Sequence, residues 1–431
     1  MKLKRQWIVG IIPLLMVITA NQSVFAAPVT LSLDDSISMA LKNNYDIRYA
    51  KSAREKSYWA LEEAKKNKKV SIDYTHTDER YNTPPSSSGY PYYTYTTNFD
   101  HQITLSLPIY SGGKLEGKID QAKLDLTVAN LDIDKAKQQL KLDVVNDYLT
   151  VLEYRNEVQV DQETVNNYVD HLNLVKAKYD IGLVAKTDVL SSQVDLAKAQ
   201  DTLIKAQNNY NNAIATLNNA IGLSHSTELE LKDDFKYEKY SLALEECIQY
   251  AKVHRPEIAQ YEAKVASAHY DVKVAKSGYL PTVDFTAQED WNDSHIPGLD
   301  NNNWMVKLTT SFNVFDSGLT KAKVKQAQHS VDMVGDQAEE ERDSILLDVR
   351  QYYLSMYEAE KRIDTNKVSV NQAQESLMIQ QARYDVGIGT NLDLLDAVLS
   401  LDSAKKDYIQ ALYDYNTNKA KLEKAMGLSV T

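Results

Sequence analysis

Tyr179-Asp180-Ile181-Gly182 and Tyr384-Asp385-Val386-Gly387 are one phrase written twice, and that repetition decides how the chain is built. Each is followed by a second match, Ala220-Ile221-Gly222-Leu223-Ser224 against Ala425-Met426-Gly427-Leu428-Ser429. Working backwards, Leu107-Pro108-Ile109-Tyr110-Ser111-Gly112-Gly113 meets Phe312-Asn313-Val314-Phe315-Asp316-Ser317-Gly318. Earlier still, Leu33-Asp34-Asp35-Ser36-Ile37 returns as Leu244-Glu245-Glu246-Cys247-Ile248. That match runs on to Val70-Ser71-Ile72-Asp73-Tyr74 against Pro281-Thr282-Val283-Asp284-Phe285. Matches kept in one order over this length mark a tandem duplication. The first copy covers residues 27–224, the second 241–431, and an acidic, aromatic linker at 225–240 joins them.

Each copy reads as helix, β-hairpin, very long helix, break, long helix. The hairpins fall at about 70–110 and 280–315, and the breaks at about 180–188 and 385–396. In the last helix of copy one Leu196, Leu203, Tyr210 and Leu217 recur every seven residues, with Ala199, Ala206 and Ala220 on the same face. Copy two keeps the register with Leu401, Tyr408, Tyr415 and Leu422, and with Ala404, Ala411 and Ala425. Large residues alternating with small ones let antiparallel helices approach closely. No proline interrupts Gly113 to Tyr179, so at 1.5 Å per residue that arm reaches roughly 100 Å.

Composition agrees. The 431 residues include only 14 Gly and 9 Pro, too few turns for an ordinary α/β fold. A formal net charge of −12 excludes the basic footprint of a nucleic-acid-binding surface. The single cysteine, Cys247, excludes an intramolecular disulfide and any thiolate metal cluster, and reads as a small core residue. At the N-terminus Lys2, Lys4 and Arg5 precede an apolar run from Trp7 to Thr19, and Ser23-Val24-Phe25-Ala26-Ala27 supplies small residues. This is the pattern of a signal peptide over residues 1–26, cleaved after Ala26, and it predicts export. No later stretch has the apolar length of a spanning helix.

The hairpins alternate with period two. Val70, Ile72 and Tyr74 oppose Ser71, Asp73 and Thr75; Ile103, Leu105, Leu107 and Ile109 oppose Thr104, Ser106 and Pro108. In copy two Val283, Phe285 and Ala287 oppose Thr282 and Asp284. Trp304, Val306, Leu308, Thr310, Phe312 and Val314 oppose Met305, Lys307, Thr309 and Ser311. Such segments of about ten residues are the signature of outer-membrane barrel strands. Four strands cannot close a barrel and a bilayer tolerates no open edge, so the chain must oligomerise. Tyr81, Tyr90, Tyr92, Tyr93 and Tyr95, around the loop Pro84–Gly89, would form an interface girdle and external tip.

With these features together, the chain resembles the TolC-like outer-membrane efflux and secretion channel family over essentially its whole mature length. The resemblance is carried by the duplicated strand-to-helix corner and by two helix breaks, Gly182-Leu183-Val184-Ala185-Lys186-Thr187-Asp188-Val189 and Gly387-Ile388-Gly389-Thr390-Asn391-Leu392-Asp393-Leu394-Leu395-Asp396. It implies a mainly α fold with a small β part. Antiparallel coiled-coil helices would form a periplasmic α-barrel, and four strands per protomer would contribute to the shared twelve-stranded barrel of a homotrimer in outer-membrane lipid. It implies a passive conduit fed by an inner-membrane transporter through a periplasmic adaptor (membrane fusion) protein, with no cofactor. Gly182, Leu183, Val184, Ala185, Gly387 and Ile388 match the tips that dock the adaptor. Asp393 and Asp396 match an acidic constriction of the tunnel mouth. Asp188, Thr187 and Tyr384 match a lock between helix pairs. A family member carries arginine at the position of Gly389, which leaves Lys186 as the nearest cation in sequence for that lock.

Physical chemistry offers a plainer role for Asp393 and Asp396. An acid in the first turn of a helix stabilises the helix dipole, with Asn391 as the cap. Gly112-Gly113-Lys114-Leu115-Glu116-Gly117-Lys118 fits the phosphate-loop pattern, but Ile119 stands where a magnesium-binding Ser or Thr belongs. The eight histidines form no HExxH and no cluster at ligand spacing, no GxSxG elbow occurs, and nothing supports an enzyme. Lys65-Lys66-Asn67-Lys68-Lys69 reads as a solvated helix end, or as a headgroup anchor if the next strand enters lipid. The alternative to a conduit is a structural coiled-coil rod of the envelope, which would have no use for the strand alternation.

Overall fold

The structure, a computed structural model, describes residues 29–84 and 92–430. The expected signal peptide and the loop tip with Tyr90 lie outside the described residues. Copy one opens with β1 (Val29–Leu31), α1 (Leu33–Asn43) and α2 (Tyr45–Lys66). A hairpin of β2 (Ser71–Thr83) and β3 (Thr94–Tyr110) then leads into α3 (Lys114–Asp180) and α4 (Lys186–Ile221). After β4 (Leu229–Leu231) the plan returns as α5 (Leu244–His254), α6 (Pro256–Lys276), β5 (Thr282–Asp293), β6 (Asn301–Ser311), α7 (Leu319–Asp385) and α8 (Asn391–Met426). Both α3 and α7 have 67 residues, and both α4 and α8 have 36. Each 67-residue helix therefore measures roughly 100 Å, and each 36-residue helix roughly 54 Å.

The long helices start abruptly where a strand ends. Gly113 (φ 87°) and Gly318 (φ 84°) are their N-caps, in the left-handed region that a side chain disfavours. Further along α3, a Cβ added at Gly117 would meet Val274 Cγ2 at 2.7 Å. Gly117, the third glycine of the phosphate-loop-like stretch, thus lets α3 and α6 close on each other, which accounts for it without a nucleotide. Lys68 pairs with Glu116 at 2.7 Å, so the lysine run ties the end of α2 to the start of α3.

The two hairpins fuse into one antiparallel sheet of order β2-β3-β5-β6. Register places Ile72 opposite Leu105, Leu105 opposite Ala287 and Ala287 opposite Val306, a continuous apolar row. The next row on this face joins Tyr74, Ile103, Glu289 and Trp304. The other face carries Asp73, Thr104, Gln288 and Met305. Unlike a sheet lying on a core, the apolar face is bare: Ile72 is 68% exposed and Trp304 72%. The sequence pattern extends β6 to Val314, but the strand ends at Ser311, paired with Thr282. Pro281 lies just before Thr282 and has no N–H with which to prolong the ladder, so Phe312 and Val314 belong to the corner before α7.

The helices follow the sheet. α2 packs on α3, α3 on α6 and α6 on α7, the same left-to-right order as the strands. Within the protomer the wall therefore ends at α2 and β2 on one side and at α7 and β6 on the other. Two apolar clusters hold the middle. In one, Val144, Tyr148 and Leu152 of α3 meet Leu217 and Ile221 of α4; in the other, Ile345, Val349 and Met356 of α7 meet Tyr415, Leu422 and Met426 of α8. Cys247 is buried in the second. The linker is not a free tether. Its β4 pairs in parallel with β1, and the Tyr148 hydroxyl donates to Asp233 at 2.9 Å. Tyr415 donates to the Glu238 carbonyl at 2.6 Å.

Candidate functional site

The ends of the two helix pairs, far from the sheet, bring the expected site residues together. Both long helices finish in the same turn. Leu183 N–H donates to the Lys178 carbonyl at 2.8 Å and Ile388 N–H to the Arg383 carbonyl at 3.0 Å. Gly182 and Gly387, with φ of 78° and 82°, complete these closures. Both returning helices start with an acidic residue in the first turn that accepts from the cap N–H, and at α8 a side chain returns the bond. The Asp188 carboxylate accepts from Ala185 N–H at 3.2 Å, while Asp393 N–H donates to the Thr390 hydroxyl at 3.1 Å and Thr390 N–H to Asp393 at 3.2 Å. The cap of α8 is thus Thr390, not Asn391, which is already inside the helix. Hydrogen bonds from the Thr390 side chain and backbone hold the Asp393 carboxyl below the usual carboxylate range.

The turns present exposed aliphatic side chains: Ile181, Leu183, Val386, Ile388 and Leu392 are all at least 65% exposed. Gly182, Ala185 and Gly387 are exposed beside them, while Val184 is half-buried against Val175, Tyr384 and Leu394. Asp393 and Asp396 both lie on the exposed side of α8, and the Asp396 carboxylate makes no hydrogen bond or ion pair among the described residues. Asp188, Asp396 and Tyr384 line one cleft of about 640 Å³ between the two helix pairs. Thr187 is exposed at the second position of α4.

The lock differs from expectation in its contacts. The Tyr384 hydroxyl is buried and bonds neither Asp188 nor Thr187. Burial, followed by the charges of Asp188 and Asp385, pushes its pKa up. The cation at Tyr384 is Lys178 of α3, not the exposed Lys186. Its Nζ donates to the Tyr384 carbonyl at 2.5 Å and sits 4.0 Å above the ring. Beside it, His171 Nε2 donates to Asn391 Oδ1, and the His171 and Tyr384 ring centroids are 5.2 Å apart. Further up the seam Thr164 bonds Asp402 at 2.8 Å, and Lys406 joins Asp161 at 2.5 Å to Asp402 at 3.0 Å. The seam thus ties α3 of copy one to α7 and α8 of copy two. Gly389 cannot simply be replaced: a Cβ there would lie 3.0 Å from Tyr384 N and 3.2 Å from Arg383. Lys178 and His171 escape a reading of the breaks alone because they precede the turn by up to three helical turns. The repeat does hold a signal for Lys178, since Arg383 occupies the matching position before the repeated tyrosine.

A protein-family model, outer membrane efflux protein, matches residues 36–223 and 247–428. The chain belongs to that family. It is 24% identical over 305 residues to the outer membrane protein TolC of Escherichia coli, a match covering 68% of this chain and 62% of TolC. The matched part therefore spans less than two thirds of that relative. The solvent efflux pump outer membrane protein SrpC of Pseudomonas putida is 22% identical, with 94% of this chain and 86% of SrpC covered. Among solved structures, the Campylobacter jejuni CmeC outer membrane channel superposes with a TM-score of 0.82 at 17% identity, covering 92% of this chain and 85% of CmeC. The mainly helical fold with a small β part is the fold of that outer membrane channel.

Proposed function

We propose that three copies of this chain close into a passive channel, with the sheet in the outer membrane and the helices spanning the periplasm. The channel would carry small toxic compounds or polypeptides outward from an inner-membrane transporter and its periplasmic adaptor. The observation that carries this reading is the wall itself, a sheet with one bare apolar face on top of helices in the same order, open at both edges. From Val283 to Trp291 the face of β5 that carries Phe285 and Ala287, interrupted only by Glu289, runs roughly 27 Å along the strand at about 3.3 Å per residue, on the scale of a barrel's apolar band. Edge-to-edge closure satisfies β2 and β6 and turns the row of Asp73, Gln288 and Met305 to the lumen. At the other end Ile181, Leu183, Val386 and Ile388 offer the adaptor an aliphatic surface. Three pairs of Asp393 and Asp396 around a narrow mouth would focus a negative potential and favour cations. Asp393 can cap α8 and line the mouth at once, since one carboxylate edge remains in solvent.

Envelope fractionation tests the assignment. The protein should band with the outer membrane, require detergent for extraction and show the mass of a trimer in detergent. A detergent-independent monomer in the periplasmic fraction would support the coiled-coil rod instead.

A further inference from the structure

The lock between helix pairs has a second half that one protomer cannot show. The duplication aligns Tyr179 with Tyr384, and therefore Lys178 with Arg383. The structure keeps that equivalence: the carbonyls of Lys178 and Arg383 close the same turn, and so do those of Tyr179 and Tyr384. Inside the protomer the cation of copy one, Lys178, clasps the tyrosine of copy two, Tyr384, through its ring and its carbonyl. The complementary pair is unused. Tyr179 is 41% exposed. Arg383 is exposed, and its guanidinium makes no hydrogen bond or ion pair among the described residues.

We propose that Arg383 of one protomer clasps Tyr179 of the next, repeating across the subunit boundary the contact that Lys178 makes with Tyr384 within it. The inference rests on the ring-shaped homo-oligomer proposed above. In a closed ring of protomers that each carry two copies, copy one meets copy two inside a protomer and copy two meets copy one between protomers. These two seams are related by the internal repeat. The occupant of the free edge at the tip is thus a second copy of this chain, offering an aromatic ring to a guanidinium. Arginine suits this seam because its planar head stacks on an aromatic face and still donates to a carbonyl. The clasp supplies a cation between subunits from position 383, where Gly389 supplies none.

Cysteine pairs separate the two seams in the full-length, detergent-purified protein. In a Cys247→Ala background, Arg383→Cys with Tyr179→Cys should be joined by a short bismaleimide into species of dimer and trimer mass on a denaturing gel. Lys178→Cys with Tyr384→Cys should be joined within one chain, at protomer mass. If the first pair yields only protomer-mass chains while the native particle is a trimer, the clasp is wrong and the channel reading stands. A native particle of monomer mass overturns both. Should the cysteine variants not assemble, Arg383→Ala carries the test through channel conductance. The open fraction should rise about fivefold, the equivalent of about 1 kcal/mol for an exposed cation–π contact. An open fraction equal to wild type contradicts the clasp.

Discussion

At the scale of single residues, His171 shows how little of the tip's chemistry is visible along the chain. Its Nε2 proton is engaged by Asn391, and its Nδ1 is buried without a partner. Burial sets its pKa below the usual 6.5, opposed by the hydrogen bond to Asn391, with the charge of Lys178 adding to the shift and that of Asp195 on α4 opposing it. Because the docked tip lowers this pKa, His171 contributes fully to docking above about pH 6.5. That contribution is lost as the pH falls through the lower, docked-state value. Conductance should therefore rise on acidification toward pH 5, and His171→Gln, which keeps a donor for Asn391 but cannot titrate, should flatten that component. An unchanged pH profile in the variant would remove His171 from the gate. Gly389 belongs to the same scale. Gly389→Arg should loosen the turn rather than add a lock, because its Cβ meets the Arg383–Tyr384 backbone, and it should lower the melting temperature.

At the scale of elements, the duplication, the helices, the breaks and the period-two strands are legible because each is a repeated pattern many residues long. The pieces that escaped are short or nonlocal. β1 and β4 have three residues each and acquire meaning only by pairing across the whole first copy. Asn391 is as good a cap as Thr390 in isolation, and only the reciprocal bonds between Thr390 and Asp393 decide for Thr390. The α3–α8 packing also hides a titrating acid. Burial, then Glu157 and Asp414, pushes Glu153 up to about 7. A raised folded-state pKa means that its contribution is present below about pH 4.5 and is lost as the pH rises through about 7. Glu153→Gln should accordingly raise the melting temperature at pH 8 and leave it nearly unchanged at pH 4. Equal shifts at both would mean that Glu153 is not titrating in the fold. In the apolar cluster beside it, Leu217→Ala should cost about 2–5 kcal/mol in chemical denaturation, as for a fully buried leucine.

At the scale of the whole molecule, the protomer is an incomplete wall. Its sheet has two open edges, its apolar face is uncovered, and the cation–tyrosine contact at its tip appears once where the repeat provides for it twice. Closure by further copies answers all three. The strand count alone predicts closure, but the shared lateral order of strands and helices is not legible along the chain, because it depends on β3 pairing with β5 across the two copies. No helix among the described residues is long and apolar enough to cross a membrane, so in this account any crossing falls to the sheet.

Single-channel recording in a planar bilayer tests that account most directly, with the purified wild type beside the double variant Asp393→Ala/Asp396→Ala. The account predicts a small, cation-preferring conductance in the wild type and a larger conductance with weakened cation preference in the variant. Failure of the wild type to insert, from a protein that stays soluble without detergent, would contradict it.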